Sequence, residues 1–516
     1  MKRYLLFTVF VAGMTTMAAE MAASRLIGNV FGTSNLVWAS IIGLILIYLT
    51  LGYFLGGRWA DANPTANALY RSLAWAAFTV GLVPYLAGPV LRSAATAFEG
   101  LQVTVLAGSF VAVLVLFVAP ITLLGTISPF AIRLSVEDAA SAGRMSGTIY
   151  AISTLGSFIG TFLPALVTIP AIGTKNTFLV FSLFLLCVAL AGLGKFASRR
   201  EMLTHLWMPV VLAVAALLSA NQAIKANTGQ VYETESAYNY IQVQELNGFT
   251  VLRLNEGQGI HSMYHPDTLN YGGPWEQFLV GPYFNAGKRP ADVQRMAIVG
   301  LAAGTAARQA TAVYNGIPID GFEIDPKIVE VGREYFHMDM PNLSVHVEDG
   351  RLGLERSGHL YDIIGVDAYR PPYIPPHMTT REFFAICAAH LTSDGVLTIN
   401  SASVPGDRRL IDGLATTMAS IFPSVHVVDL PGTLNTMIFA TKQPTRPEDF
   451  AINLVELARD PSTHPLLLTA MQTTYAHLQP GYETTTVFTD DLAPIEWIVN
   501  DMVIRFVVGG EVEILQ

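Results

Sequence analysis

The sequence predicts a polytopic α-helical membrane domain followed by an α/β domain that opens with a small β-hairpin region. Three observations carry this: long apolar segments stop near residue 227, the charge balance changes sign there, and alternating strand and helix patterns follow. The 516 residues are 52% hydrophobic and 14% charged, with a mean hydropathy of +0.43, too apolar for an ordinary soluble protein. Residues 1–227 hold 13 Lys and Arg against 6 Asp and Glu, whereas residues 228–516 hold 17 against 34. The second half is acidic. Phosphate binding needs gathered basic side chains, so nucleic acid is excluded as a partner. The acidity suits a cationic ligand, and plain solubility explains it as well.

A helix needs about 20 residues to cross a bilayer. Apolar runs of that order fall near 4–24, 36–56, 72–92, 103–124, 146–170, 177–194 and 206–223, about seven spans, the fourth extensible through Pro120 and Pro129. The Met-Lys-Arg start leads directly into the first run, which reads as a membrane helix in preference to a signal peptide. Glycines such as Gly52, Gly56, Gly156 and Gly160 suit close helix packing in lipid. Glu20 and Arg25 lie at or near the first span; their spacing of five is poor for pairing along one helix, so partners elsewhere are expected. Cys187 and Cys387 lie one in each half, so no disulfide is predicted. No clustered His or Cys pattern suggests a metal, and His265, His337 and His377 read as loop residues.

Past Lys225 the texture changes. Tyr240–Leu246, Thr250–Leu254 and Ile260–Tyr264 alternate as short antiparallel strands, with Asn247-Gly248 as a hairpin turn. A buried strand at Met296-Ala-Ile-Val-Gly300 then runs into Gly300-Leu-Ala-Ala-Gly304 and a helix over 306–314. Further strands follow at 319–325, 345–350, 361–367 and 395–400, the first three ending in Glu323, Asp349 and Asp367. A glycine-rich turn lets a ligand approach backbone amides at a helix start. An acid about 20 residues on can accept hydrogen bonds from both ribose hydroxyls. Glu323, followed by Ile324, has that position, and Asp349 can reach an adenine amino group. The turn is not Gly-x-Gly-x-x-Gly, which weakens a hydride-transfer dinucleotide reading. The expected domains are 1–227 (helical bundle), 228–290 (strands and gate), 291–445 (nucleoside-binding α/β domain) and 446–516 (tail).

From Thr234-Glu-Ser-Ala-Tyr-Asn-Tyr-Ile241 to about Asn400 these residues resemble the spermidine synthase (polyamine aminopropyltransferase) family, and the helices in front resemble its membrane-fused bacterial branch. The resemblance implies a Rossmann-like, class I methyltransferase-type domain. It implies decarboxylated S-adenosylmethionine as cosubstrate, a polyamine acceptor, methylthioadenosine as product, and neither prosthetic group nor metal. It places the ribose acid on Glu323, the adenine-contacting Asp-Gly on Asp349-Gly350 and the catalytic Asp on Asp367. A family glutamine falls on Asn239, and another on His261. The gate motif falls on Trp275-Glu276-Gln277, with Trp275 and Gln277 as substrate contacts.

Departures from the family pattern concern the amine half of the pocket. The acid expected in the first turn, which holds the aminopropyl ammonium, is Ala303. The family's Asp-x-x-Asp is Asp367-Ala368-Tyr369-Arg370, reversing the second charge. Arg370 suits a carboxylate, which intact S-adenosylmethionine has and its decarboxylated form lacks. Three readings follow: aminopropyl transfer to a polyamine; cleavage or cyclisation of intact S-adenosylmethionine without one; and a membrane transporter or sensor whose adenosyl domain only binds ligand. Asp367 beside a full nucleoside site disfavours the last. In the tail, Asp490-Asp491-Leu-Ala-Pro-Ile-Glu496 before an apolar helix at 497–508 either caps that helix or lends Asp491 to the pocket.

Cationic loop residues favour a cytoplasmic N-terminus by nine to four. Seven complete spans would then place the α/β domain outside, away from adenosylated metabolites. One of the two short final spans is therefore expected to be re-entrant or interfacial, giving an inner-membrane protein with a cytoplasmic catalytic domain, a small-molecule substrate and the lipid bilayer as partner. A homodimer or higher oligomer is left open.

Overall fold

A computed structural model describes residues 2–31, 35–97, 104–136, 138–219, 228–255, 259–369, 374–404 and 406–508. Two compact units emerge: Met1–Asn227 with Glu233–Tyr240, and Thr228–Tyr232 with Ile241–Gln516.

The first unit contains α1 (Lys2–Phe31), α2 (Asn35–Ala62), α3 (Ala66–Ala97), α4 (Thr104–Ser135), α5 (Ala139–Leu163), α6 (Ile169–Phe196), α7 (Arg199–Leu203) and α8 (Trp207–Leu218). Among the described residues six stretches are long and apolar enough to cross a membrane. One of them, Ala140–Phe196, runs for 57 residues and is broken at Gly173 (φ +78), so it covers two of the seven predicted spans. Pro120 and Pro129 do lie inside α4. Glycines decide how closely these helices approach. A side chain at Gly156 or Gly160 would strike the carbonyls of Phe10 or Met14, and one at Gly52 would strike Thr122. Large apolar side chains stand outward, Phe54 at 67% and Leu217 at 77% exposure, a surface that water does not favour.

Arg25 donates to the carbonyls of Ala237 and Tyr238. Glu235 accepts from the Thr174 amide at 2.6 Å, the Thr174 hydroxyl at 2.9 Å and Asn29 Nδ2 at 2.9 Å. The Thr174 amide, freed by the break at Gly173, therefore has a carboxylate partner.

Four strands, β1 (Gln230–Glu235), β2 (Tyr240–Leu246), β3 (Phe249–Leu254) and β4 (Ile260–Tyr264), form an antiparallel meander in that order. The main sheet follows with β5 (Met296–Val299), α9 (Thr305–Val313), β6 (Ile319–Phe322), α10 (Pro326–Tyr335), β7 (Leu343–His346), α11 (Gly350–Arg356), β8 (Tyr361–Val366), α12 (Arg381–Ala389), β9 (Leu391–Ala402), α13 (Arg409–Ala419), β10 (Ser424–Asp429) and β11 (Asn435–Thr441). The strand order is β10-β11-β9-β8-β5-β6-β7, with β11 antiparallel to both neighbours. β5 and β8 are buried throughout; β5 reads as an unbroken apolar run, and β8 admits Asp362, which accepts from the amides of Gln294 and Arg295.

The residues after 445 are part of this unit. α14 (Pro447–Arg459) and α15 (Pro465–Ala476) bury Phe450, Leu467 and Met471 against one face of the sheet, while α16 (Ile495–Val508) buries Ile495 and Val499 against the other. β6 and β7 lie on one side of β5, and β8 and β9 on the other, all parallel to it, so the carboxyl ends of β5 and β8 form the switch point at which open α/β sheets bind ligands.

Candidate nucleoside-binding site

The turn after β5 lies at this switch point. Gly300 has φ +86, and a Cβ there would lie 2.5 Å from the Asp367 carbonyl oxygen and 2.6 Å from the Ala368 amide. Only glycine lets the turn lie against the end of β8. Ala302 also takes a left-handed conformation (φ +48), unfavourable for a residue with a Cβ. Its amide donates to Glu323 Oε2 at 2.9 Å, which holds it there. Gly304 (φ +83) starts α9 against Met338.

β4 crosses this turn. Ser262 Oγ accepts from the Ala303 amide at 2.9 Å, and Thr305 Oγ1 both donates to and accepts from the Met263 backbone at 2.9 Å. Ala303, the position of the expected acid, is buried. On the same strand the His261 Nε2 is buried with no hydrogen-bond partner. Burial, and then the nearby Arg253 cation, push its pKa down to about 4, so the ring is neutral at pH 7.

Glu323 is 7% exposed and accepts from the amides of Ala302 and Asp325. Burial pushes its carboxyl up to about 7 in spite of those two donors. Ile324 beside it is exposed. Asp349 caps α11 through the Leu352 amide at 3.1 Å, and Gly350 packs so closely on β5 that a Cβ would sit 2.5 Å from Val299 Cγ1. His377 Nε2 lies 3.0 Å from Asp349 Oδ2 and, foremost among several causes, holds that carboxyl below its usual range. His377, read from sequence as an ordinary loop residue, is therefore a partner of a predicted site residue.

Asp367 stands at the end of β8, its amide bonded to the Val299 carbonyl at 2.8 Å. Burial pushes its carboxyl up to about 6, against a 2.9 Å hydrogen bond donated by Asn400 Nδ2. Asn400 is itself buried and its Oδ1 has no partner, so the amide is oriented by Asp367. Tyr369 donates to the Asn400 carbonyl at 3.2 Å.

Gly300, Gly304, Glu323, Asp349, Gly350 and Asp367 thus gather along one edge of the sheet, linked by backbone contacts. Trp275 and Gln277 are buried, and Gln277 accepts from Thr474 on α15. The buried carboxylate in that segment is Glu276, which binds the amides of Tyr271 and Gly273 and the Gln309 side chain. In the tail, Asp490 and Asp491 are both exposed, and Asp490 is the one that binds Arg351 and Thr380. Asn239 lies in a turn in which its amide donates to Ser236 Oγ at 2.8 Å. Arg370 lies outside the described residues. Among the described residues no group of three or more His, Cys, Asp or Glu is placed to hold a metal.

Strand order, turn and strand-end acids define the second unit as a methyltransferase-like Rossmann α/β domain. Residues 291–451 match the spermine/spermidine synthase domain family. It is 33% identical over 284 residues to a protein of Bifidobacterium longum described as a probable polyamine aminopropyl transferase, covering 52% of this chain and 62% of that one. The match therefore spans less than two thirds of that relative. It is 29% identical over 237 residues to the polyamine aminopropyltransferase of Vibrio vulnificus, covering 43% and 75%. A crystal structure of a probable spermidine synthase from Corynebacterium glutamicum is similar at 18% identity and a TM-score of 0.38, covering 51% of this chain and 98% of that one.

Proposed function

We propose that the protein is a membrane-anchored transferase that displaces methylthioadenosine from decarboxylated S-adenosylmethionine by aminopropyl transfer to a polyamine. The observation that carries this is the Asp367 carboxylate, held by Asn400 at the end of a strand whose backbone carbonyl lies against Gly300 at the switch point of the sheet. Glu323 receives the ribose, and Asp349-Gly350 lies at the purine end. A neutral amine of the acceptor attacks the aminopropyl carbon bonded to sulfur. The N–C bond forms, the C–S bond breaks with its electron pair passing to sulfur, and the amine proton goes to Asp367. At pH 7 a carboxyl with a pKa of about 6 is mostly ionised and can take that proton.

In this proposal 1–227 is a helical anchor in the inner membrane, with its apolar exterior facing lipid. Residues 228–290 form the strands and gate, 291–445 the nucleoside domain and 446–516 a packed tail, with the α/β unit cytoplasmic. A second reading is favoured by one observation: the buried, uncharged lining formed by Ala303 and by a neutral His261 whose Nε2 has no hydrogen-bond partner. That lining does not attract the aminopropyl ammonium and tolerates a carboxylate. Intact S-adenosylmethionine would then be cleaved or cyclised.

Methylthioadenosine release separates the two. The full-length protein is incubated with intact or decarboxylated S-adenosylmethionine, each with and without putrescine. Release only from the decarboxylated form with amine is expected. Release from the intact form without amine overturns the transfer reading in favour of the second.

A further inference from the structure

We propose that the C-terminal turn Thr489–Leu492 belongs to the machinery of the nucleoside site, with Asp490 and Arg351 as positioning residues that hold His377 and Asp349 at its purine end. This rests on the reading of Asp349 as a nucleoside contact. The turn lies beyond the stretch that matches the spermine/spermidine synthase domain, which ends at residue 451, yet it reaches back to α11.

Arg351 presents its guanidinium fork to Asp490, with Nη1 at 2.8 Å from Oδ1 and Nη2 at 2.7 Å from Oδ2. Nη1 also donates to the His377 carbonyl at 2.8 Å. One guanidinium thereby ties the tail to the residue whose ring binds Asp349. Asp490 is held on its other sides: Thr380 Oγ1 donates to Oδ1 at 2.7 Å, and the Asp490 amide donates to Glu382 Oε2 at 3.1 Å. Its carboxyl is accordingly held down to about 2, chiefly by Arg351.

The backbone around Asp490 is fixed as well. Thr489 and Leu492 exchange amide–carbonyl bonds at 3.1 and 3.0 Å. Phe488, 4% exposed, lies over Gly413, where a side chain would collide with its ring. The Phe488 amide donates to Thr417 Oγ1 at 2.9 Å, and its carbonyl accepts from the Arg381 amide at 2.9 Å. An isolated exposed ion pair orders little, but a bidentate fork embedded in a hydrogen-bonded network does fix geometry. Asp349 and His377 are both partly exposed, so they rely on this bracing.

The test is calorimetric titration of methylthioadenosine into the full-length protein in detergent, with donor kinetics, for wild type, Asp490→Asn, Arg351→Lys and Asp490→Glu. Losing the fork is expected to weaken nucleoside binding and raise donor KM on the order of tenfold, the scale of one charge-assisted hydrogen bond, while kcat stays near wild type. Asp490→Glu, which keeps the charge, is expected to recover part of the affinity. Arg351→Lys keeps the charge but not the fork, and carries the test if Asp490→Asn does not fold. Wild-type binding with unaltered binding in both fork variants overturns this inference alone. A joint fall in kcat and melting temperature at constant KM marks a structural role and also overturns it. A wild type that binds no nucleoside overturns the underlying functional reading as well.

Discussion

Asp367→Asn separates catalysis from stability, because the proposed role as proton acceptor and the burial of the carboxyl predict opposite effects on the two. Its pKa rises from 3.8 to about 6 through burial. Between those values the unfolded chain has released a proton that the folded chain keeps, so stability falls as pH climbs from about 4 to about 6 and stays lower above it. A shift of about 2 units at 1.36 kcal/mol each is a penalty of about 3 kcal/mol at pH 7. Asparagine removes that charge, and its amide can still meet the Asn400 amide. The variant is therefore expected to be more stable at pH 7 by up to about 3 kcal/mol, raising the melting temperature of the α/β unit by roughly 5–10 °C. Without the proton acceptor, kcat is expected to fall about 10²–10⁴-fold. Thermal melting followed by intrinsic fluorescence, and methylthioadenosine release under saturating donor and amine, check the two halves. A variant that is less stable than wild type, or that keeps its kcat, refutes the reasoning.

Asn400→Asp places a second carboxylate where the 2.9 Å donor stood. The pH midpoint of kcat is expected to move up by about one unit or more, and an unmoved midpoint counts against the Asp367–Asn400 pairing. Gly300→Ala imposes φ +86 on alanine and drives a Cβ against the Asp367 carbonyl. It is expected to cost about 1–2 kcal/mol in the backbone alone and to lower kcat/KM; unchanged kinetics contradict this. Glu323 keeps its proton up to about pH 7, whereas an unfolded Glu loses it near 4.5, so it too makes stability fall as pH rises through that window. Glu323→Gln should flatten part of the melting-temperature profile between those pH values, and an identical slope would show that the carboxyl is not buried as described.

The strand ends were legible because buried parallel strands leave continuous apolar runs that stop at the ligand edge. Met296–Val299 is of this kind, Ile319–Phe322 and Tyr361–Val366 are interrupted only by Asp320 and Asp362, and Gly300 marks the turn. The helical bundle was legible from length and hydropathy for the same reason. Pairings across long separations were not. Arg351 and Asp490 are 139 residues apart, and nothing in the sequence distinguishes Asp490 from Asp491. The two differ only in which way the turn aims them. His377 has no metal-type spacing, yet its loop brings it to Asp349. In Trp275-Glu276-Gln277 both polar side chains bind the protein's own interior, Glu276 to Tyr271, Gly273 and Gln309 and Gln277 to Thr474, because a 3-10 turn over 275–279 rotates successive side chains in a way that alignment to a motif does not track. The segment after 445 read as a tail with helices, and α14, α15 and α16 close both faces of the sheet; amphipathic helices show that they pack but not against what.

Equilibrium dialysis of labelled methylthioadenosine against the detergent-solubilised wild type and Glu323→Ala tests the nucleoside site most directly. Saturable binding by the wild type is expected, weakened about 30-fold or more in the variant, the scale of losing two hydrogen bonds of about 1 kcal/mol each. No binding by the wild type, or equal binding by both, would contradict a nucleoside site built on Glu323 at the carboxyl edge of the sheet.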